Sequence, residues 1–547
     1  MFITKTPSRK PSGKVYYTRL LRQSYRENGK VKKRTLANLT DWPESAVTIL
    51  EQAIRNSRNS KSPCGEDFKI TQGLSFGAPY VLYQLAERLG LIEALGNDFQ
   101  GKLAIWQVIA RVLEQGSRLS ATRLAQIYDL ASVINLPRGF DENDLYDNLS
   151  WLSERQNEIE DFLFRKRNKN VSLFLYDVTS SYFEGNLNEM AEYGYNRDQK
   201  KRKKQIVIGL LCDEEGTPVS VEVFQGNTQD VETFISQIQK TQERFSSKRV
   251  TFVGDRGMIK KEQIEEVIEQ GCQYITALTM PQMLKLFNDG ILDPSQFSGT
   301  LKELVHEGTR YVYRRSTGRA AETMQSRHER LNKAQEKVDL HNARLAESVR
   351  RKPLSAKGDI KKYLKRLCID EWVSVSVKQR TLNLVVDDKA LKEKAKYDGC
   401  YVLKTSIQDP EMTPNMLFAR YKDLSLVESA FRTCKTTFLE MRPIYVRKAL
   451  NTRGHVLVVM LAYLLVQKLT EAWKGIDMTA KEGLTKLAGI CTIDIEIGGS
   501  SDLSRSSQIL SPDSISERLL AAVDIAMPTK VTRSLANVVS RKKVGKS

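Results

Sequence analysis

Residues 171–178 read Val-Ser-Leu-Phe-Leu-Tyr-Asp-Val, and residues 249–256 read Arg-Val-Thr-Phe-Val-Gly-Asp-Arg. Both are short apolar runs of strand length that close on an aspartate, Asp177 and Asp255. Between them lie two more β-rich runs, 205–212 and 217–224, joined as a hairpin across Glu214-Glu215-Gly216, and then a helical stretch over 231–245. A helix over 260–270 and a strand over 274–278 follow. The predicted order is β-β-β-α-β-α-β, a mixed α/β sheet with covering helices. This order can set the first and fourth strands side by side, with both carboxylates at one sheet end. A lone strand-end aspartate is usually a cap; two together suit a hard cation such as Mg²⁺, which takes carboxylate and phosphate oxygens.

A third carboxylate lies in residues 421–435, Tyr-Lys-Asp-Leu-Ser-Leu-Val-Glu-Ser-Ala-Phe-Arg-Thr-Cys-Lys. Tyr421, Glu428 and Lys435 are seven apart. On one continuous helix they share a face, drifting about 20° per step. Arg432 falls near that face, four residues after Glu428, while Leu424, Val427 and Phe431 supply the apolar side. A solvated face with a Glu428–Arg432 ion pair accounts for the same spacing.

The 547 residues suffice for three or four domains. With 41% hydrophobic and 28% charged residues the composition is that of a folded chain. Lys+Arg number 85 against 66 Asp+Glu, a net charge of +19. The excess is local: residues 1–40 carry eleven basic residues against Glu27, residues 197–204 carry six against Asp198, and residues 501–547 carry eight against four acids. The remainder nets to zero. Such patches point to a polyanion, most readily nucleic acid, with solubility charge and a basic tail as the alternative.

Other classes are excluded. The longest apolar run, Val456–Val466, has eleven residues, short of the roughly 18 needed to span a bilayer, and reads as a buried helix. Met1–Lys14 has no apolar core of a signal peptide, so a cytoplasmic location is expected. Seven scattered cysteines without a C-x-x-C fit a reducing compartment and no thiolate zinc site. With four histidines, any metal chemistry must rest on carboxylates.

Along the chain, residues 1–62 form a basic region with a hairpin, Val15–Tyr25 and Val31–Leu39 flanking Asn28-Gly29, suited to DNA contact or to guarding a sheet edge. A linker is expected near 58–70. Residues 70–166 read as a helical domain, for DNA-end binding or plain support, with Ser120 capping a short helix. The sheet domain takes 167–280 and 406–470. It is interrupted by a β-rich insertion at 281–405 with a long helix, whose Met324, Leu331, Val338 and Leu345 repeat every seven residues. In the insertion, Trp372 reads as core packing in preference to base stacking. Residues 471–547 form a C-terminal region with a basic tail and a candidate dimerisation role; His455 reads as structural.

These motifs resemble the DDE transposases of bacterial insertion sequences, in particular the insertion-sequence-four-like group whose last helix carries a Tyr…Arg…Glu…Lys signature. Tyr421, Glu428 and Lys435 match that signature in register, and Leu424 stands where the group has Arg. The strings YDVTSSYFEG (176–185), GLLCDEEGTPV (209–219), FQGNTQD (224–230), GDRGM (254–258) and LEMRPIYVRKAL (439–450) are similar to one branch of the group, over roughly 170–465. The resemblance implies an RNase H-like catalytic domain in which Asp177, Asp255 and Glu428 hold two Mg²⁺ ions, with Mn²⁺ able to substitute. Strand cleavage at element ends and strand transfer into target double-stranded DNA would follow, with the two ends synapsed by a homodimer. It also implies that Tyr421 and Lys435 contact phosphates near the cut.

From helical geometry and position we add Arg432, Arg256 beside Asp255, and the run Lys200, Lys201, Arg202, Lys203 and Lys204 as DNA contacts. The alternatives are an RNase H-like nuclease without strand transfer and a non-catalytic DNA-binding descendant. The three carboxylates argue against the second; the insertion and the quoted strings argue against the first. Clustered cations predict that affinity for duplex DNA falls steeply and linearly in log–log form as salt is raised. A titration by fluorescence anisotropy checks this, and a flat salt profile contradicts it.

Overall fold

Three antiparallel strands open the chain: β1 (Phe2–Arg9), β2 (Val15–Glu27) and β3 (Lys30–Asn38), with β2 central. The computed structural model describes residues 1–547 except 10–14, 28, 41, 43–46, 49, 53, 56–67, 168–170, 186, 199, 201, 246–249, 257, 260, 443, 498–503, 529–530, 532–535, 537 and 539–547. Glu27 stands opposite Lys30, and Gly29 takes φ +75°, as a two-residue hairpin turn requires. The hairpin expected from Val15 onward is β2 and β3, and β1 is an addition to it; Pro7 is tolerated there because this is an edge strand.

After β4 (Phe68–Ser75) come the helices of residues 77–166, the two longest being α1 (Phe99–Leu113) and α2 (Glu142–Glu154). The expected linker at 58–70 falls mostly outside the described residues, and 68–70 belong to β4. Ser120 is not a cap. The short helix spans Arg118–Arg123, and Ser117 Oγ accepts from Ser120 N at 3.1 Å.

The central sheet is built from β5 (Leu173–Tyr182), β6 (Gln205–Cys212), β7 (Pro218–Phe224), then, after helix α3 (Asp230–Phe245), β8 (Thr251–Gly254), and, after α4 (Lys261–Glu269), β9 (Gln273–Ala277). β5, β6 and β7 are antiparallel neighbours, whereas β5–β8 and β8–β9 are parallel. That is the mixed sheet the element order predicts. Its helices seal one face through Phe174, Tyr176, Phe234 and Phe252.

The segment 281–405 is only partly separate. Strands β10 (Lys302–His306) and β11 (Thr309–Arg315) lead into the long helix α5 (Thr317–Glu347), α6 (Pro353–Arg366), the hairpin β12 (Val373–Lys378)–β13 (Thr381–Val386), and β14 (Cys400–Thr405). β14 pairs with β9, so β14, β11 and β10 extend the central sheet to eight strands, ordered β10-β11-β14-β9-β8-β5-β6-β7. The hairpin, α5 and α6 enclose their own core, with Val338, Leu345, Ile360 and Trp372 inside it. Leu331 packs against that core and Met324 is exposed, so the seven-residue seam is buried only in its later half.

Helices α7 (Pro414–Lys422) and α8 (Leu424–Arg432) precede α9 (Ala449–Trp473). By length and composition α9 is apolar enough to cross a membrane, yet it is buried, wedged between α1, α2 and the sheet. At its start, His455 Nδ1 lies 3.3 Å from Arg118 Nη2, and burial together with Arg111 and Arg118 holds its pKa well below the usual histidine range. His455 is therefore a neutral structural group. The last strands, β15 (Cys491–Ile497) and β16 (Ser504–Ile509), add to β4, and Ile493 and Ile495 share a core with Leu21 and Leu39. The C-terminal region thus covers the N-terminal one; the basic tail at 541–547 lies outside the described residues. The six described cysteines form no disulfide.

Gly454 permits a close crossing of α9 with α2 in this core. A Cβ there would fall 2.0 Å from the Leu149 carbonyl oxygen of α2. Gly454→Ala is expected to cost about 1–3 kcal/mol through overpacking, read as a lower thermal unfolding midpoint; an unchanged midpoint contradicts the close packing.

Candidate active site

Pairing between β5 and β8 runs from Leu173–Thr251 to Tyr176–Gly254 and stops there. The residue that follows each last pair is an aspartate, Asp177 still on β5 and Asp255 just past the end of β8, so the two stand side by side where the parallel pairing ends. Asp177 is not the end of its strand, as the apolar run suggested. β5 continues to Tyr182 because β6 keeps pairing with it, Asp177 opposite Leu210 and Tyr182 opposite Gln205. Each aspartate is oriented locally: Asp177 Oδ1 accepts from Val178 N at 2.8 Å, and Asp255 Oδ1 from Arg256 N at 2.7 Å.

Glu428 completes the acidic group. It is an exposed residue of α8, whose Val427, Ala430 and Phe431 are buried beneath it. Asp177, Asp255 and Glu428 line one cleft of about 470 Å³. They also line an adjoining recess of about 300 Å³, shared with Arg197 and Asp230. Among the described residues no ion pair ties Glu428 to Arg432, which is exposed.

The helix carrying the seven-residue spacing is not continuous. It is interrupted at Asp423 between α7 and α8, and residues Thr433–Thr437 form a π-helical turn. The interruption at Asp423 lets Tyr421 lean over the cleft, where its hydroxyl donates to Asp255 Oδ1 at 3.3 Å. Wider winding in the π turn changes the direction in which its side chains point. Lys435 consequently points inward: its ammonium is buried and donates to Thr179 Oγ1 at 3.0 Å, the Ser180 carbonyl at 2.6 Å and Asp198 Oδ1 at 2.6 Å. Lys435 lines neither recess; it is a cross-tie.

Asp198, the single acid of the basic run, is the other end of that tie. Its carboxylate also takes Arg442 and the Tyr182 amide, fixing the loop against β5. Within the run, Lys203 pairs with Glu184 at 2.6 Å and Lys204 with Glu192 at 3.7 Å. Lys200 and Arg202 are exposed, without an ion-pair partner among the described residues, and Lys201 lies outside them. The local sequence did not mark the cleft's other cations. Arg314 at the end of β11 and Arg319 in the first turn of α5 face the carboxylates together with Arg256 and Lys422. Arg314 lies 4.2 Å from the ring centre of Phe418, and Arg319 5.2 Å from that of Tyr401. Only the pairing of β11, β14 and β9 brings them there.

Comparison with known proteins bears on this arrangement directly. The family described as Transposase DDE domain matches residues 171–465, more than half of the chain and the whole span from β5 to the buried part of α9. The chain belongs to the DDE transposases. Residues 3–63 match the IS1634 family transposase, N-terminal domain, in keeping with a bacterial insertion sequence. The transposase is also similar to a piggyBac transposase synaptic complex with hairpin DNA solved by cryo-electron microscopy. That likeness has 11% identity over 75% of this chain and 70% of that one, with a TM-score of 0.33, too loose to carry an argument. No curated protein matches this chain.

In the transposase Arg256 Nε lies 4.0 Å from Asp255 Oδ1, while Asp177 is the more confined of the two aspartates. Burial, reinforced by Asp255 and Glu428, pushes the Asp177 carboxyl up to about 7, against the pull of the Val178 amide and of Arg197. Burial, with Tyr401 and Asp255 beside it, drives the Tyr421 phenol far above its usual range, so it stays a donor. The family uses divalent metal ions. The donor set fits them, being hard carboxylate oxygens whose mutual repulsion a cation relieves. Among the described residues these side chains are not drawn into a group of three or more at metal-binding spacing.

The Asp177 shift has a definite sign. A carboxyl raised from 3.8 to about 7 favours the protonated folded form, so its contribution to stability is full below about pH 4 and is lost as pH rises towards 7. In chelator, Asp177→Asn should therefore melt higher than the parent at pH 8, with the gap closing towards pH 4. A pH-independent gap in differential scanning fluorimetry contradicts this.

Proposed function

We propose that this DDE transposase cuts DNA at the ends of its element and joins the freed 3′-hydroxyls to target DNA at the cleft between β5, β8 and α8. The observation that carries this reading is the convergence of Asp177, Asp255 and Glu428, from three separate elements, on one cleft. These three residues would hold two divalent ions, Mg²⁺ or Mn²⁺. When bound, such a pair supplies an activated water or hydroxyl and stabilises the leaving oxygen of an in-line displacement.

The chain's own residues do the rest. Tyr421 holds the Asp255 carboxylate in orientation through its hydroxyl. Arg256, Arg314, Arg319 and Lys422 line the cleft as phosphate contacts, positioning the backbone without reading its sequence. Arg314 and Arg319 place positive charge around Leu424, where the resembling group carries its arginine. Lys435 and Asp198 lock the 197–204 loop to β5, leaving Arg197 to moderate the charge on Asp177 and Lys200 and Arg202 to face the DNA backbone. Exposed Arg432 extends this basic rim. Joining two ends requires two active sites, so a homodimer on paired ends is part of the proposal, with the β1–β3 sheet and the helices of 77–166 holding the flanking duplex.

Asp177→Asn, Asp255→Asn and Glu428→Gln, each assayed with Mg²⁺ on DNA carrying the element's ends, are expected to lose cleavage and strand transfer while binding end DNA as the parent does. Cleavage retained by any of the three contradicts the assignment. Cleavage by the parent without strand-transfer products would mark a nuclease.

A further inference from the structure

Between β5 and β6 two tyrosines are displayed in an unusual way. Tyr195 is 82% exposed and Tyr193 63% exposed, so neither ring contributes to a core. The backbone beneath them is nonetheless fixed. The buried Gln205 side chain donates to the Tyr195 carbonyl at 3.2 Å and to the Gly226 carbonyl at 2.8 Å. Glu192 and Gln205 exchange backbone hydrogen bonds at 3.0 and 2.9 Å. Gly194, between the rings, is pressed so closely to the Gly226 carbonyl that a Cβ would fall 2.2 Å from it. Arg197 N donates to Ser180 Oγ at 2.9 Å, and Asp198 is tied to Lys435.

Cations are interleaved with the rings. The Arg197 guanidinium lies 5.6 Å from the Tyr195 ring centre, and the Lys204 ammonium 5.8 Å from that of Tyr193. Large rings held out into water on a rigid support, with positive charge beside each, have the chemistry of a surface for unpaired nucleotides. Each base stacks on a ring, and the cations track the phosphates. The location is equally specific, because Arg197 also lines the recess shared by Asp177 and Glu428.

We propose that Tyr193 and Tyr195 form a stacking platform for the unpaired bases of a DNA strand passing the carboxylate cleft, with Arg197 and Lys204 beside the rings and the exposed Lys200 and Arg202 of the same loop meeting its phosphates. The proposal rests on the cleft being where DNA is cut, and its test is a binding measurement without metal, so the two readings can fail separately.

The full-length protein is titrated in EDTA with a mixed-sequence duplex, and with the same duplex bearing a short single-stranded arm that contains 2-aminopurine. The arm should raise affinity, and its fluorescence should be quenched on binding. The double variant Tyr193→Ala/Tyr195→Ala should lose about tenfold or more in affinity for the armed DNA, the scale of one stacked base, and lose the quench. It should bind the plain duplex as the parent does. Tyr193→Phe/Tyr195→Phe should restore both signals, since stacking needs the ring and not the hydroxyl. Retention of affinity and quench by the alanine pair overturns the platform. Equal losses on both DNAs overturn it in favour of ordinary duplex contact or a collapsed loop, and failure of the phenylalanine pair overturns it in favour of hydroxyl hydrogen bonding.

Discussion

The structure turns on the parallel pairing of β5 with β8 and on the point where it ends. Four residue pairs hold the strands together, and beyond Tyr176 and Gly254 β8 has no more strand to offer. A longer β8 would carry Asp255 onward inside the sheet. Because it is short, Asp255 turns out into a loop while Asp177 remains on a strand that β6 still supports from the other side. One carboxylate is thereby held firmly and partly buried, and the other is exposed and adjustable, steadied by Tyr421.

That arrangement sets the electrostatics of the whole site. Asp177, the most confined of the three carboxylates, resists ionisation chiefly because it is buried, and further because Asp255 and Glu428 share its cleft. Of the surrounding cations among the described residues, only Arg256 reaches a carboxylate of the group, its Nε 4.0 Å from Asp255 Oδ1; Arg197 is held by Asp230 at 2.5 Å, and Arg314 and Arg319 lie over aromatic rings. An acidic centre inside a basic ring suits a substrate that is a polyanion and a cofactor that is a cation. Of the three local excesses behind the net charge of +19, only the run 197–204 borders that ring among the described residues, through Arg197.

Much of this is legible in the amino-acid sequence alone. Apolar runs ending in Asp177 and Asp255, the hairpin between 205 and 224 and the alternating elements after it determine the sheet order, because strand length and period depend on local residues. The spacing of Tyr421, Glu428 and Lys435 is legible as residues but not as geometry. An interruption at Asp423 and a π turn at 433–437 depend on what the helix packs against, and they send Lys435 inward to Asp198. Arg314 and Arg319 are invisible for a related reason: their approach depends on β14 pairing with β9, a contact between residues more than a hundred positions apart. The single acid within the basic run, Asp198, is the one local sign that this loop is anchored and not merely charged.

The central claim is that Asp177, Asp255 and Glu428 together form a divalent-cation site. Anomalous scattering from Mn²⁺ soaked into crystals of the protein tests it most directly. Density bridging Asp177 to Asp255 or Glu428, absent in Asp177→Asn crystals, is the predicted result. Mn²⁺ bound elsewhere, with the cleft empty at saturating concentration, would contradict it.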